Sequence, residues 1–414
     1  MRRRHLLAGL AAAWLASRAL MLWLLAHDSL GILGGRVGRE VWHLYHHWYG
    51  VLAHGAFPAH DTLWQYPPGA GPVLLSPGVL PWWTYFEAFV ALTVLSDAAV
   101  ACALARAGTR PGRTLAGAAV WVGGLPLLVR VPFARYDVQV TALAVISLLA
   151  LARSTRACGA FAAAGALVKV WPALVLVGVR RGRDSRSVWS SVALTGASLF
   201  LLLVFAFRNP LAFVRQQGGR GVQIESLGGT LLSLATHAGW PGEVRYRYGA
   251  MEFTGPYVSS VAHASLALTA VAFGLLLLWR VRARHWTEAV PFDAALSAVL
   301  LFTVTSRVIS PQYMIWLVGL AAVCLSSRHT TQRAVTALIL ASTALSAVIF
   351  PVEYGKVIEC TWTGTGLMVL RNGLLLAAAV LSYVRLWRAT TARAPQRAGS
   401  CPQTLRESRT PASL

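Results

Sequence analysis

Long apolar runs recur along the chain, and each one is ended by arginine, proline or glycine. The hydrocarbon core of a membrane is about 30 Å thick, and a helix of about 20 apolar residues crosses it. Backbone amides in hydrocarbon must bond within their own element, and these runs are too long and too evenly apolar for the alternating strands of a membrane barrel. The pattern predicts an all-α polytopic integral membrane protein, a bundle of about ten to twelve transmembrane helices.

Most of the runs are predicted as single membrane helices. They lie at residues 6–27, 82–105, 115–131, 137–152, 188–206, 259–279, 290–307, 312–326, 333–351 and 364–386. The stretch 157–179 differs, because a single helix there would place the strongest basic run, RRGRDSR, outside the cell, against the positive-inside rule. Lys169, Trp171 and Pro172 interrupt this stretch, and proline in a helix interior removes a hydrogen bond. The sequence therefore predicts two short half-helices that turn back before the basic run.

Arginine-rich short loops set the predicted orientation, since such loops stay in the cytoplasm. The N-terminal arginines and the loop after the second predicted helix belong to this class, so both termini are expected to be cytoplasmic. Residues 1–387 then form one transmembrane domain with long extracytoplasmic loops at 28–80 and 207–258. The tail at 388–414 is expected to be cytoplasmic and disordered, because it has too little apolar area to fold.

The composition agrees with a membrane protein and argues against other classes. Hydrophobic residues make up 56% of the 414 residues, charged residues only 13%, and the mean hydropathy is +0.57. A net charge of +22 would suggest a nucleic-acid partner in a soluble protein, but the basic residues lie mostly between helices, so no such partner is expected. The five cysteines have neither metal nor disulfide spacing.

The first external loop is far more polar and aromatic than the runs around it. Over residues 40–54 the apolar and aromatic positions fall at helical spacing, which predicts an amphipathic helix lying at the membrane surface. His43, His46 and His47 have a spacing that could bind metal. No carboxylate or cysteine completes a clear ligand set, so no metal is predicted, and hydrogen bonding or interfacial packing is the favoured role.

Charged residues in or beside the predicted spans are candidates for function, because charges are costly in lipid. Asp97, Asp137 and Lys169 are of this kind, and Arg135 lies close to Asp137. Two further groups are predicted on the outer face: Arg220 with Glu225, and Arg307 with Gln312 and Tyr313. Their shared face predicts convergence on one anionic site, since guanidinium groups bind phosphate well.

Several short motifs occur in a fixed order over residues 40–316. An acidic residue precedes a tyrosine after the first helix, GAFP and YPP follow, and RYD, KVWP, RGVQIES and SPQYMIW come later. This set resembles the polyprenyl-phosphate-dependent glycosyltransferases of the GT-C superfamily, in particular glycosyltransferase family 87, which includes mycobacterial mannosyltransferases. The resemblance implies an inverting sugar transfer, with mannose favoured, from a polyprenyl-phosphate donor to a lipid or glycan acceptor on the extracytoplasmic side. It implies neither a metal nor another cofactor.

The resemblance also assigns roles to residues. A carboxylate in the first external loop would deprotonate the acceptor hydroxyl, and Glu40 is the candidate, with Asp61 as second choice. The family usually has an aspartate four residues before the tyrosine, whereas Glu40 lies five residues before Tyr45. The alternatives are that Glu40 only caps its helix and that Asp61 only bonds its own turn. Residues implied in donor binding are Arg135, Asp137, Arg220, Glu225, Arg307, Gln312 and Tyr313, and those in supporting roles are His43, Tyr45, Tyr66 and Lys169.

Two other functions are compatible with the sequence. A transporter or flippase of lipid-linked sugars would line both halves of the bundle with polar residues, whereas here the polar clusters favour the external face. Matching broken helices in two repeats, common in transporters, are not visible. A non-catalytic relative that binds glycolipid is the other alternative, which the shifted position of Glu40 allows.

Overall fold

The computed structural model describes residues 2–28, 37–217 and 220–391. Its α-helices are α1 Arg2–Ala26, α2 His46–Ala53, α3 Ala70–Leu75, α4 Tyr85–Gly108, α5 Ala116–Gly124, α6 Asp137–Ala150, α7 Thr155–Val168, α8 Arg183–Ala206, α9 Ala212–Gln217, α10 Leu227–Thr236, α11 Val258–Arg282, α12 Val290–Thr305, α13 Tyr313–Leu325, α14 Arg333–Ala347, α15 Tyr354–Ile358 and α16 Trp362–Thr391. Shorter 3₁₀ segments are Ser76–Val79, Leu125–Leu128, Val131–Ala134 and Trp171–Gly178, and π-helices are Glu40–Tyr45 and Val348–Val352.

The predicted fold class is confirmed: the chain is an all-α polytopic membrane protein. Within the described residues, six helices are long and apolar enough to cross a membrane, which are α1, α4, α8, α11, α14 with its π-turn, and α16. The remaining apolar helices are shorter, between 10 and 17 residues. Several of these short helices are buried inside the bundle, where a helix need not span the membrane by itself.

Helices α12 and α13 form the centre of the bundle. Almost every residue of both is buried, as expected of helices that are apolar on all sides. Around them pack α5, α6, α14 and α16. By contrast, α1 and α8 have mostly exposed apolar residues, which in a membrane face lipid.

The break predicted within 157–179 is present. Helix α7 ends at Val168, Lys169 is extended, and a 3₁₀ segment starts at Trp171 with Pro172 in its first turn. Proline is tolerated there because the first amides of a helix have no intrahelical partner. The two pieces contact each other, and a β-carbon added at Gly165 would lie 3.0 Å from Pro172 Cβ.

The structure gives further detail in three of the predicted regions. The region predicted as an external loop at 207–258 folds into α9, α10 and a three-stranded antiparallel sheet of order β1-β3-β2, with strands β1 Val222–Gln223, β2 Glu243–Arg247 and β3 Ala250–Thr254. The helix predicted over 40–54 is two elements, the π-helix and α2. Helix α16 continues to Thr391, so the first four residues of the predicted tail belong to this helix. The rest of that tail lies outside the described residues.

The helix pair at the start of the first external loop does not lie free on the surface. Val41, Tyr45, Trp48 and Leu52 are buried, because a spacing of three or four residues aligns them on one face that packs into the main core. This docking brings the first residue of the pair, Glu40, to the edge of the bundle.

Candidate active site

A cavity of about 520 Å³ lies at one end of the bundle. Its walls come from the first external loop, the start of α6, the break after α7, the strands and the α12–α13 connection. The structure therefore brings together most of the predicted site residues, which are Glu40, Tyr66, Arg135, Lys169, Arg220, Glu225, Arg307, Gln312 and Tyr313. The residues that the sequence assigns to one outer face thus line a single cavity.

Glu40 forms an ion pair with Arg135. The Arg135 Nη2 atom lies 2.7 Å from Glu40 Oε2, and 29% of the Glu40 side chain remains exposed toward the cavity. Burial lowers the pKa of the Arg135 guanidinium, but attraction from Glu40 and other neighbours outweighs it, so this pKa lies above its ordinary value. The ion pair therefore keeps Arg135 charged and fixes one oxygen of the carboxylate.

The π-helix explains why Glu40 is well placed despite its unusual spacing. In this helix the backbone amide of His46 donates to the carbonyl of Val41, five residues back. Bonds of this kind widen the turn, so residues five apart share a face as residues four apart do in an α-helix. Glu40 and Tyr45 are therefore neighbours, and the Tyr45 pKa reflects this, since burial raises it strongly and Glu40 raises it further. The wider turn of the π-helix therefore compensates for the one-residue difference between this spacing and the family pattern.

Asp137 and Lys169 form a second ion pair, below the cavity. Lys169 Nζ lies 2.5 Å from Asp137 Oδ1, and Trp316 Nε1 donates to the same oxygen at 2.6 Å. The ammonium also lies over the rings of Tyr136 and Trp316, 4.8 Å and 5.0 Å from their centroids. Such stabilisation by ring faces holds a cation in place without neutralising it. Asp137 does not line the cavity but positions Lys169, which does.

Arg220 and Arg307 also line the cavity. Arg307 Nη1 donates to the backbone carbonyl of Arg220 at 2.9 Å, and Arg220 Nε lies 3.4 Å from Glu252 Oε1. Burial lowers the pKa of Arg307, and repulsion from Arg220 lowers it further, against an opposing effect of Glu252. Two guanidinium groups held this close favour an anion between or beside them.

Glu225 is a buried carboxylate of the cavity wall. Its Oε1 atom accepts from Arg371 Nη2 at 3.3 Å, and its Oε2 atom accepts from Gln223 Nε2 at 3.4 Å. The adjacent Asn372 donates to the backbone carbonyls of Glu225 and Ser226, which anchors this loop to α16. Burial raises the pKa of Glu225 to about 7, although Arg371 opposes the shift. The carboxyl is therefore poised to exchange a proton near neutral pH.

Besides Asp137, three predicted residues lie outside the cavity wall. Asp61 accepts from Trp48 Nε1 at 2.7 Å and from the amide of Leu63 at 2.8 Å, so it has the turn role that was its alternative. His43 is exposed and does not line the cavity, and Tyr45 is buried behind it. Among the described residues, no group of three or more histidine, cysteine, aspartate or glutamate side chains is arranged to hold a metal ion.

Sequence reasoning missed several residues that complete the site. Arg371 carried a usable signal, because it is a charge within the last apolar run. Gln223 lies within the RGVQIES motif and lines the cavity as part of β1. Glu252 and Tyr246 carried no signal, since they line or support the cavity only through the strand pairing of the second external region.

Comparison with known families agrees with this geometry. Residues 64–311 match the model of glycosyltransferase family 87. No curated protein matches the chain. The matched segment covers more than half of the chain and includes the residues of the cavity wall from Gln65 to Pro311.

Proposed function

The chain belongs to glycosyltransferase family 87 and is a membrane glycosyltransferase, and from that premise we propose that it transfers a sugar, with mannose favoured, from a polyprenyl-phosphate donor to a lipid or glycan acceptor. The observation that carries this proposal is the cavity, which joins a partly exposed carboxylate to several cations. Family membership stands against the transporter alternative. A transfer assay tests the alternative that the protein is a non-catalytic relative that binds glycolipid.

The charges of the cavity support a phosphate-bearing donor. Its wall includes four basic side chains, Arg135, Lys169, Arg220 and Arg307, against two carboxylates, Glu40 and Glu225. A polyprenyl-phosphate sugar carries one negative charge on its phosphate and gains a second when the bond to the sugar breaks. Fixed cations in a poorly solvated site stabilise that developing charge more than they stabilise the ground state. We assign the donor phosphate to the wall of Arg220 and Arg307.

Glu40 is the proposed general base. The acceptor hydroxyl oxygen attacks the anomeric carbon, its proton passes to the Glu40 carboxylate, and the bonding pair of the sugar–phosphate bond leaves with the polyprenyl phosphate. One glycosidic bond forms and one breaks, with inversion at the anomeric carbon. Arg135 acts as a positioning residue, because it holds one oxygen of Glu40 and leaves the side chain open to the cavity.

The proposed cavity side is extracytoplasmic. Basic residues gather at the far end of α4, where Arg3 donates to the carbonyl of Thr109 and Arg113 pairs with Glu288. The near end of α4 begins at Tyr85, which stacks on His46 of the first external loop. The 24 residues of α4 separate these ends by about 36 Å, the span of a membrane core. The positive-inside rule supports an extracytoplasmic position of the cavity.

A transfer assay with the purified protein in detergent tests the proposal. The donor is a radiolabelled polyprenyl-phosphate mannose, and the acceptors are alkyl glycosides. We expect transfer by the unmodified protein and a loss of about 10²- to 10⁴-fold in Glu40→Gln, the usual contribution of a general base. The matched control is Glu359→Gln, since Glu359 is exposed and does not line the cavity. Unchanged transfer by Glu40→Gln would remove Glu40 as the base, and no transfer by the unmodified protein would reject the donor.

A further inference from the structure

The hairpin of β2 and β3 forms part of the cavity wall. Its turn closes between Arg247 and Ala250, so Tyr248 and Gly249 are the two turn residues. A β-carbon added at Gly249 would lie 3.8 Å from Leu63 Cδ2. The hairpin therefore reaches across to the first external loop, which also carries Glu40.

The hairpin turn has an unusual residue in a demanding backbone conformation. Tyr248 and Gly249 have φ angles of 52° and 77°, the left-handed pair that a two-residue hairpin turn requires. Asparagine or aspartate normally precedes the glycine, because a bulky side chain is strained in this region. The Arg247 guanidinium lies 5.6 Å over the Tyr248 ring. A strained aromatic residue that is kept over a cavity indicates a function for the ring.

Tyr246 supplies a second ring beside the first. It lines the cavity, yet 63% of its surface is exposed. Partial burial raises the pKa of its hydroxyl, and the charges of Glu40 and Asp61 raise it further, which places the hydroxyl on the side of the proposed base. Tyr248, the first residue of the turn after β2, also lines the cavity, so this wall presents two tyrosine side chains separated by a single residue.

We propose that Tyr246 and Tyr248 form the acceptor site, and that they bind a glycan of at least two sugar rings, whose terminal ring faces Glu40. This inference rests on the proposed function and deepens it. Tyrosine provides a flat apolar face with a hydroxyl at its edge, at a low cost in side-chain entropy. A pyranose ring has the complementary form, with an apolar face of C–H groups and a rim of hydroxyls.

The neighbouring side chains favour a glycan over a bare lipid chain. Glu243, Arg245 and Arg247 on β2 are exposed, and Glu243 and Arg245 form an ion pair. Such a strand can donate and accept hydrogen bonds with sugar hydroxyls, whereas an alkyl chain would desolvate these charges without replacing their hydrogen bonds.

The test compares acceptors of different length. With donor at saturation, alkyl mono-, di- and trisaccharides are offered to the unmodified protein, Tyr246→Ala, Tyr248→Ala and the control Tyr257→Ala, whose tyrosine is 74% exposed outside the cavity wall. We expect each of the first two variants to raise the acceptor KM for the di- and trisaccharide about tenfold, with kcat and the donor KM unchanged. The monosaccharide KM and the control should change less than twofold.

The two proposals fail in different ways. Binding of the alkyl trisaccharide alone, measured by calorimetry, should weaken about tenfold in Tyr246→Ala whether or not the donor has been identified. If the donor is wrong, transfer is lost but this binding difference persists. An equal KM change for all three acceptors, or a change that depends only on the length of the alkyl chain, would overturn the glycan site while leaving the transfer reaction intact.

Discussion

The buried ion pair of the helix bundle and those around the cavity differ in how many of their polar atoms have hydrogen-bond partners. In the helix bundle, Arg18 binds Asp97 through two parallel bonds of 2.9 Å, and its other donors reach the carbonyls of Trp121 and Val122. The indole groups of Trp14 and Trp121 donate to the two Asp97 oxygens at 2.8 Å and 2.7 Å. Every polar atom of this pair therefore has a partner within the protein.

The ion pairs around the cavity are incomplete. Lys169 and Trp316 both bind one oxygen of Asp137, and, as far as the described chain goes, its other oxygen has no hydrogen-bond partner. The same holds for Nε of Arg135 and for Nε and Nη1 of Arg371. Buried polar atoms normally have partners, because an unmet donor or acceptor costs about 1–3 kcal/mol.

The difference separates a structural pair from a functional one. An ion pair whose donors and acceptors all have partners holds helices together and cannot form a further hydrogen bond with a ligand. Pairs with unused donors beside a cavity retain capacity that a substrate or water can take up. Charge inside a membrane protein is thus a weak guide to function until the partners of each atom are known.

The largest expected effect comes from breaking the complete pair. Asp97→Asn leaves the Arg18 charge buried without its counter-ion, which costs about 3–5 kcal/mol. We expect a large fall in the thermal unfolding temperature in detergent, with transfer per folded molecule close to that of the unmodified protein. A loss of transfer without a loss of stability would contradict the structural role of this pair.

The pH dependence of stability sharpens the comparison on the cavity side. The Glu225 pKa is raised by burial from 4.5 to about 7 in the folded protein. The folded state therefore binds this proton more tightly, so the stabilisation is full below pH 4.5 and is lost as the pH rises through about 7. The loss is on the order of 3 kcal/mol. Unfolding temperatures of the unmodified protein should fall between pH 5 and pH 8 more steeply than those of Glu225→Gln. Parallel profiles would be evidence against a contribution of the raised Glu225 pKa to stability.

Removing one cavity cation should reduce transfer and leave stability nearly unchanged. For Arg307→Gln we expect kcat/KM for the donor to fall about 10²-fold, as for the loss of one donor to a developing negative charge. The control is Arg282→Gln, an exposed residue at the end of α11 away from the cavity. If both variants lost activity equally, the phosphate would not be bound where we place it.

The smallest effect is expected from shortening the π-helix. Deleting His43, which is exposed, puts Glu40 four residues before the tyrosine, a spacing that an ordinary α-helix places on one face. Transfer should then fall less than about tenfold, far less than in Glu40→Gln. A deletion as damaging as Glu40→Gln would show that the π-helix does more than restore the position of the carboxylate.

Much of the fold and part of the site followed from the sequence. The apolar runs predicted the membrane class, and Pro172 with Lys169 located the break. The motifs also placed Glu40, Arg220 and Arg307 on one face. The sequence did not predict the sheet of the second external region, since its strands are short and pair only through β3. Tyr246 and Glu252 were missed for that reason.

What the sequence determined by itself is the set of properties that depend on local composition. A run of apolar residues must enter a membrane, a proline must interrupt a helix, and a basic loop stays on one side, whatever the rest of the chain does. Only the tertiary structure decided which charges are fully paired and which remain open to a ligand. Arg18 finds Asp97 across 79 positions, and Arg371 finds Glu225 across 146. Hydrogen bonds have a reach of about 3 Å, so partners so distant in sequence are chosen by packing alone.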